Sequence, residues 1–215
     1  MAWDDPVELE GSYTCPSGLD VRGLTYIAAF NGGYQYLLRR EKTDELGRLN
    51  DEDPKVIAAS DEAPASLTML PTRALVCAVQ VSGYVEVLIS TDNGEDWEVV
   101  HQLSGYEYPV VHCGAEWLWL VCYEAASEDG AQGRVVVWRF DIDTEELEIK
   151  DDAVVVGGSD YGRSGIIQDP RTRRLSIVSP KTTQWLGSNV QPAIAEHVST
   201  DLGSSWEIEG VHEVA

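Results

Sequence analysis

Short apolar runs recur along the whole chain, and none of them keeps a 3.6-residue period. Leu75-Val76-Cys77-Ala78-Val79 and Val135-Val136-Val137-Trp138 are β-branched or aromatic and too brief for an amphipathic helix. Gly, Asp, Asn and Ser interrupt the runs about every 8 to 12 positions, the rhythm of an all-β domain. The pattern therefore predicts strand after strand. Residues 41–53 are the main departure; 42–49 has the makings of a helical turn, but a wide hairpin suits the flanking strands better.

The strands group into four similar units, about 19–58, 65–103, 108–150 and 163–209. Each unit opens on a weak strand, such as 66–70, 109–113 or 164–168, and continues with its most apolar one. A third strand then leads into a turn, and a fourth alternates with polar residues. The second strand is expected deepest, covered on both faces. The fourth, as in Trp97-Glu98-Val99, is expected half-exposed at an outer edge. In the third unit the turn is placed at Asp141-Ile142-Asp143-Thr144-Glu145-Glu146, and Leu147-Glu148-Ile149 is taken as the returning strand.

Two of the third-to-fourth-strand turns share a pattern. Ser90-Thr91-Asp92-Asn93-Gly94-Glu95-Asp96-Trp97 and Ser199-Thr200-Asp201-Leu202-Gly203-Ser204-Ser205-Trp206 both read S-x-D-x-G-x-x-W. Their starts are 109 residues apart (199 − 90), two periods of about 54. Ser and Asp at this spacing can accept hydrogen bonds from N–H groups of the loop. Gly94 and Gly203 supply a positive φ, and Trp97 and Trp206 are expected to fold back and anchor the next strand.

This octet resembles the Asp-box (BNR) repeat, with two full copies and two degenerate units covering nearly the whole chain. The resemblance implies a single all-β, β-propeller-like domain over 1–215, built of about four short four-stranded antiparallel blades in a ring that is closed or open. It also implies that Ser90, Asp92, Gly94 and Trp97, with Ser199, Asp201, Gly203 and Trp206, are structural rather than catalytic. The best-known members are sialidases, whose site uses three arginines on a carboxylate, a Tyr–Glu nucleophile pair and an acid Asp. Here the arginines are Arg39-Arg40, Arg163 and the cluster Arg171, Arg173, Arg174, none in the family's Arg-Ile-Pro-like context. Gly23-Leu24-Thr25-Tyr26 occupies the nearest place without that motif, and four units fall short of a six-bladed enzyme.

Charge narrows the partners. The 37 Asp+Glu against 15 Lys+Arg give a net charge of −22, which repels phosphate backbones and anionic membranes. Few lysines and many acids resemble proteins adapted to high salt, where screening makes dense like charge tolerable. The 43% hydrophobic content argues against disorder. The start, Met1-Ala2-Trp3-Asp4-Asp5-Pro6, lacks a signal-peptide pattern, and no apolar run reaches the roughly 18 residues of a membrane span. Cys15, Cys77, Cys113 and Cys122 lack metal-ligand spacing and read as buried thiols.

No catalytic constellation emerges. His112 and Cys113 are neighbours on a strand, where side chains point to opposite faces, and so read as structural. His101, His197 and His212 lack ligand spacing. No metal or cofactor is expected, although the acidic tracts 124–129 and 141–152 offer hard oxygens that calcium favours. Tyr34, Tyr106, Tyr108, Tyr161 and Trp185 lie in inter-strand loops and provide flat amphipathic area suited to a sugar or a protein. The leading expectation is a non-catalytic recognition or assembly module. Asp-box proteins commonly work outside cells, and a virion protein of a tailed virus, made in host cytoplasm, reconciles that with the lack of an export signal. Its partners would be other virion proteins, copies of itself or a cell-surface glycan, with no nucleic acid and no membrane insertion. The alternatives are a sialidase-like glycoside hydrolase and an intracellular interaction scaffold.

Overall fold

The computed structural model describes residues 14–21, 24–41, 50–60, 65–126, 133–142, 147–160, 162–184 and 190–213. These residues form four four-stranded antiparallel sheets, each a simple meander, and no helix. The fold is a β-propeller. The first sheet holds β1 (Thr14–Val21), β2 (Leu24–Asn31), β3 (Tyr34–Glu41) and β4 (Asn50–Ala59). The second holds β5 (Ser66–Met69), β6 (Leu75–Val81), β7 (Tyr84–Ser90) and β8 (Glu98–Ser104). The third holds β9 (Tyr106–Cys113), β10 (Trp117–Glu124), β11 (Arg134–Asp141) and β12 (Val154–Gly158). The fourth holds β13 (Gly165–Gln168), β14 (Leu175–Gln184), β15 (Val190–Ser199) and β16 (Glu207–Glu213).

Burial follows the apolar patterning. β6 and β10 are buried along most of their length because both of their faces are covered, whereas β8 and β16 lie at sheet edges. One large cluster fills the seam between the second and third sheets, from Val76 and Val87 to Leu120, Val136 and Phe140. A second joins Tyr26 and Leu37 of the first sheet to Leu75 and Cys77, and a third joins Trp119 and Val137 to Leu175 and Ile177. Close packing thus runs from each sheet to the next. Among the described residues no comparable packing joins the fourth sheet to the first. Ile167, Val178 and Ile194 are accordingly exposed on the fourth sheet, while Leu175, Ile177 and Ala195 of the alternating set are buried against the third.

The two S-x-D-x-G-x-x-W bends have nearly identical wiring. Ser90 Oγ donates to Asp92 Oδ1 at 2.7 Å and accepts from Gly94 N at 2.8 Å, and Asp92 caps the N–H groups of Glu95 and Asp96. Ser199, Asp201 and Gly203 repeat this at 2.8 and 2.8 Å, with Ser205 donating to Asp201 from both its N–H and its hydroxyl. Each glycine also keys its bend onto the preceding sheet. A Cβ on Gly94 (φ 90°) would meet Leu37, and one on Gly203 (φ 79°) would meet the Trp119 ring at 2.6 Å. Trp97 and Trp206 are half-buried against the same seams, and Trp206 Nε1 donates to Gly203 O.

The third unit corrects the sequence expectation. Ile149 makes only a single bridge to Phe140; the fourth strand proper is β12, where Val154 pairs with Val137. The backbone stays on the ladder through Lys150, whose N–H donates to Arg139 O and whose ammonium lies over the Trp117 ring, bends away at 151–152 and resumes pairing at Val154. In place of a box glycine and indole, Leu147 takes a positive φ of 49° and is fully buried, with His101 Nε2 bonded to its carbonyl at 2.7 Å. The segment 42–49 lies outside the described residues.

Candidate functional site

The first strand of each sheet lines a common axis, with β1 packed on β5, β5 on β9 and β9 on β13. β5 and β9 run in the same direction, since Ser66 Oγ accepts from Val111 N and Thr68 Oγ1 from Cys113 N. All inner-strand starts therefore gather at one axial end, together with the connections between sheets and the second-to-third-strand turns. The opposite end carries the inner-strand ends and the two Ser/Asp/Gly bends.

The end where the strands begin is polar. Arg163, just before β13, donates to the carbonyl of Ala65, just before β5, at 3.1 Å, so its side chain crosses from the fourth sheet to the second. Glu107, the second residue of β9, has a buried Oε2 with no hydrogen-bond partner among the described residues. Asp160, in the connection from third to fourth sheet, has a buried Oδ2 in the same condition, and Ser164 has a buried hydroxyl. The connection is pinned by Asp160 N and Ser159 Oγ, both donating to Pro180 O. Native folds leave few buried polar atoms unpaired, and an unpaired carboxylate oxygen is suited to a donor supplied from outside.

The aromatics singled out in the sequence divide. Tyr34 is 46% exposed on its hairpin, with its ring 6.4 Å from that of Tyr36. Tyr106 packs edge-on against Trp138 at 5.8 Å and is half-buried, with its hydroxyl pKa raised first by desolvation and then by Glu124. Tyr108 has φ 52°, and its N–H donates to Gln80 Oε1 at 3.0 Å. By topology Tyr34, Tyr106 and Tyr108 belong to the polar end; Tyr161 and Trp185 lie outside the described residues. The described arginine side chains do not converge. Arg173 pairs with Glu116 at 2.7 Å and Arg174 with Glu209, both at the bend end, and the side chains of Arg39 and Arg40 are not described. A sialidase-type arginine triad is therefore not assembled among the described residues.

The bend end holds a cavity of about 780 Å³ among the first three sheets, lined in part by Leu19, Tyr26, Met69, Arg73, His112 and Cys113. His112 and Cys113 lie across from Trp119 and Leu118, on opposite faces of the third sheet as expected, but the expectation that they are buried needs correction. Both are half-buried and reach the cavity wall, because β9 is an edge strand and these are its last two residues. Cys77 and Cys122 are fully buried as expected, and burial pushes the Cys77 thiol to about 12. Among the described residues no group of three or more His, Cys, Asp or Glu is gathered as a metal site. No described helix is long and apolar enough to cross a membrane. Glu107 and Asp160 carried no local sequence signal among 37 acids; only their burial distinguishes them.

No family model and no curated protein matches the chain. Solved structures do. An α-L-arabinofuranosidase of Fusarium graminearum, bound to arabinobiose, superposes with a TM-score of 0.68 at 14% identity over 94% of this chain. An endo-arabinase from Bacteroides thetaiotaomicron gives 0.65 at 14% identity, covering 97% of this chain and 84% of its own. An α-L-arabinanase of Penicillium chrysogenum, also with arabinobiose, gives 0.64 at 13% identity over 91% of this chain. The chain spans 66% of the length of the first and third of these. At such identities the likeness is one of fold.

Proposed function

We propose that this propeller acts on a carbohydrate at the axial end where its inner strands begin, as a glycoside-hydrolase-like protein. The observation that carries the reading is that two half-buried acids at that end, Glu107 and Asp160, each keep a buried carboxylate oxygen without a hydrogen-bond partner among the described residues. Glycosidic hydrolysis needs two carboxyl groups, one to protonate the leaving oxygen and one to act on water or on the anomeric carbon. Sugar hydroxyls are the donors that such oxygens lack, and exposed rings such as Tyr34 offer a stacking surface. The shared fold with arabinan-acting enzymes supports the class of ligand. The repeated bend wiring supports kinship with Asp-box proteins in the scaffold, while the dispersed arginines count against a sialidase. No observation favours the virion-attachment role over this reading.

The test is turnover of linear arabinan, arabinobiose and a panel of aryl glycosides. Wild type should release sugar, and Glu107→Gln and Asp160→Asn should each lower kcat at least about 100-fold with an unchanged melting curve. Sugar binding lost in Glu107→Gln, without turnover in wild type, would make recognition the function of the same site. Absence of both turnover and binding across the panel would refute the reading.

A further inference from the structure

The cavity at the bend end is separate from the carboxylates and takes no part in the function above. Its volume, about 780 Å³, lies within the range of small-molecule sites. One wall is apolar, formed by Leu19, Tyr26 and Met69; the rim carries Arg73.

Arg73 is set apart by its place on the cavity. At this end of the propeller Arg139 pairs with Asp151, Arg173 with Glu116 and Arg174 with Glu209, while Arg171, away from the cavity lining, has no ion pair among the described residues. Arg73 has no ion-pair or hydrogen-bond partner for its guanidinium among the described residues, in a chain of net charge −22. It also holds φ at 77° at the close of the turn from Leu70, where its N–H donates to Leu70 O at 2.9 Å. Arg173 takes the same left-handed conformation (φ 61°) in the corresponding turn of the fourth sheet, so the cavity and the unpaired guanidinium, not the backbone, distinguish Arg73. Burial lowers the pKa of His112 across the cavity, which leaves it neutral near pH 7 and Arg73 as the one cationic side chain of the lining among the described residues.

We infer that this cavity binds a small amphipathic carboxylate, its anionic group paired with the Arg73 guanidinium and its apolar body lying on Leu19, Tyr26 and Met69. A guanidinium fork matches a carboxylate in a bidentate pair. Long-range attraction does not contribute, because the net acidic surface opposes an approaching anion and charge effects are screened beyond about a Debye length; selection comes from direct contact.

Cys113 provides the readout. It lies on the cavity wall, whereas Cys77 and Cys122 are fully buried, so alkylation mapped to its own peptide by mass spectrometry reports the cavity. The probes are 4-phenylbutyrate and its neutral analogue 4-phenylbutanol, with iodoacetamide as the alkylating agent. The carboxylate should protect Cys113 saturably, with half-protection at a concentration at least about fivefold lower than for the alcohol. In Arg73→Gly, whose melting temperature should match or exceed that of wild type, the two probes should protect equally; Arg73→Gln serves as a second variant should the glycine change the turn. Equal protection by both probes in wild type, protection by neither, or a preference that survives loss of Arg73 would overturn the inference. None of these results bears on sugar turnover at Glu107.

Discussion

Replacing Gly203 with alanine tests whether the bends key one sheet onto the next. Gly203 holds φ at 79°, and an added Cβ would lie 2.6 Å from Trp119 Cζ3 and 2.9 Å from Cη2. Trp119 is fully buried and has no room to retreat. The left-handed backbone costs about 1–2 kcal/mol for a residue with a Cβ. Overpacking against a fixed ring adds about 1–3 kcal/mol. The expected loss is thus about 2–5 kcal/mol, a large part of the 5–15 kcal/mol typical of a domain. Gly33 is the control: its φ is 92°, but a Cβ there meets nothing within 4 Å, so Gly33→Ala should cost the backbone term alone. Urea unfolding of both variants, with the slope m checked for constancy, measures the difference. If Gly203→Ala loses no more than Gly33→Ala, the bend does not seat on the third sheet as described.

Three further outcomes follow from the same contacts. Ser66→Ala leaves the buried Val111 N–H unpaired at the second-to-third-sheet seam and should cost about 1–3 kcal/mol in urea unfolding. Asp201, held down to about 2 by Ser205 and Ser199, binds fewer protons folded than unfolded; its stabilisation should be complete above its ordinary 3.8 and fade as pH falls toward 2, so that Asp201→Asn is destabilising at pH 7 and converges on wild type in acid. The buried His197 has a pKa lowered from 6.5 by desolvation and by Lys181, so its contribution is intact above pH 6.5 and declines below it; His197→Gln should flatten that part of the stability–pH curve.

Much of the scaffold was legible because its signals are local. Alternation and turn residues marked strands such as Leu75–Val81 and Trp117–Glu124, and the Ser/Asp/Gly bends carried their own hydrogen-bond code within eight residues. The third unit was harder to read because its bend is closed by distant groups: Leu147 is buried in the seam and held by His101 of the second sheet, which nothing near Leu147 announces. The axial sites were less legible still. Glu107 sits between two tyrosines and Asp160 in a Ser/Gly-rich connection, both ordinary surroundings for a surface acid. The burial of their carboxylate oxygens is a tertiary property that no local pattern announces, and Arg163 meets Ala65 only across the sheets. Tyr106, read from the sequence as a loop residue, is the first residue of β9 and packs edge-on against Trp138, a contact no local pattern announces.

The most direct test of the sugar site is amide hydrogen exchange with and without arabinobiose at saturating concentration. Protection confined to 104–109 and 159–165, around Glu107 and Asp160, is the predicted result. Protection at 68–73 and 112–114 instead, or none anywhere, would contradict a carbohydrate site at the end where the inner strands begin.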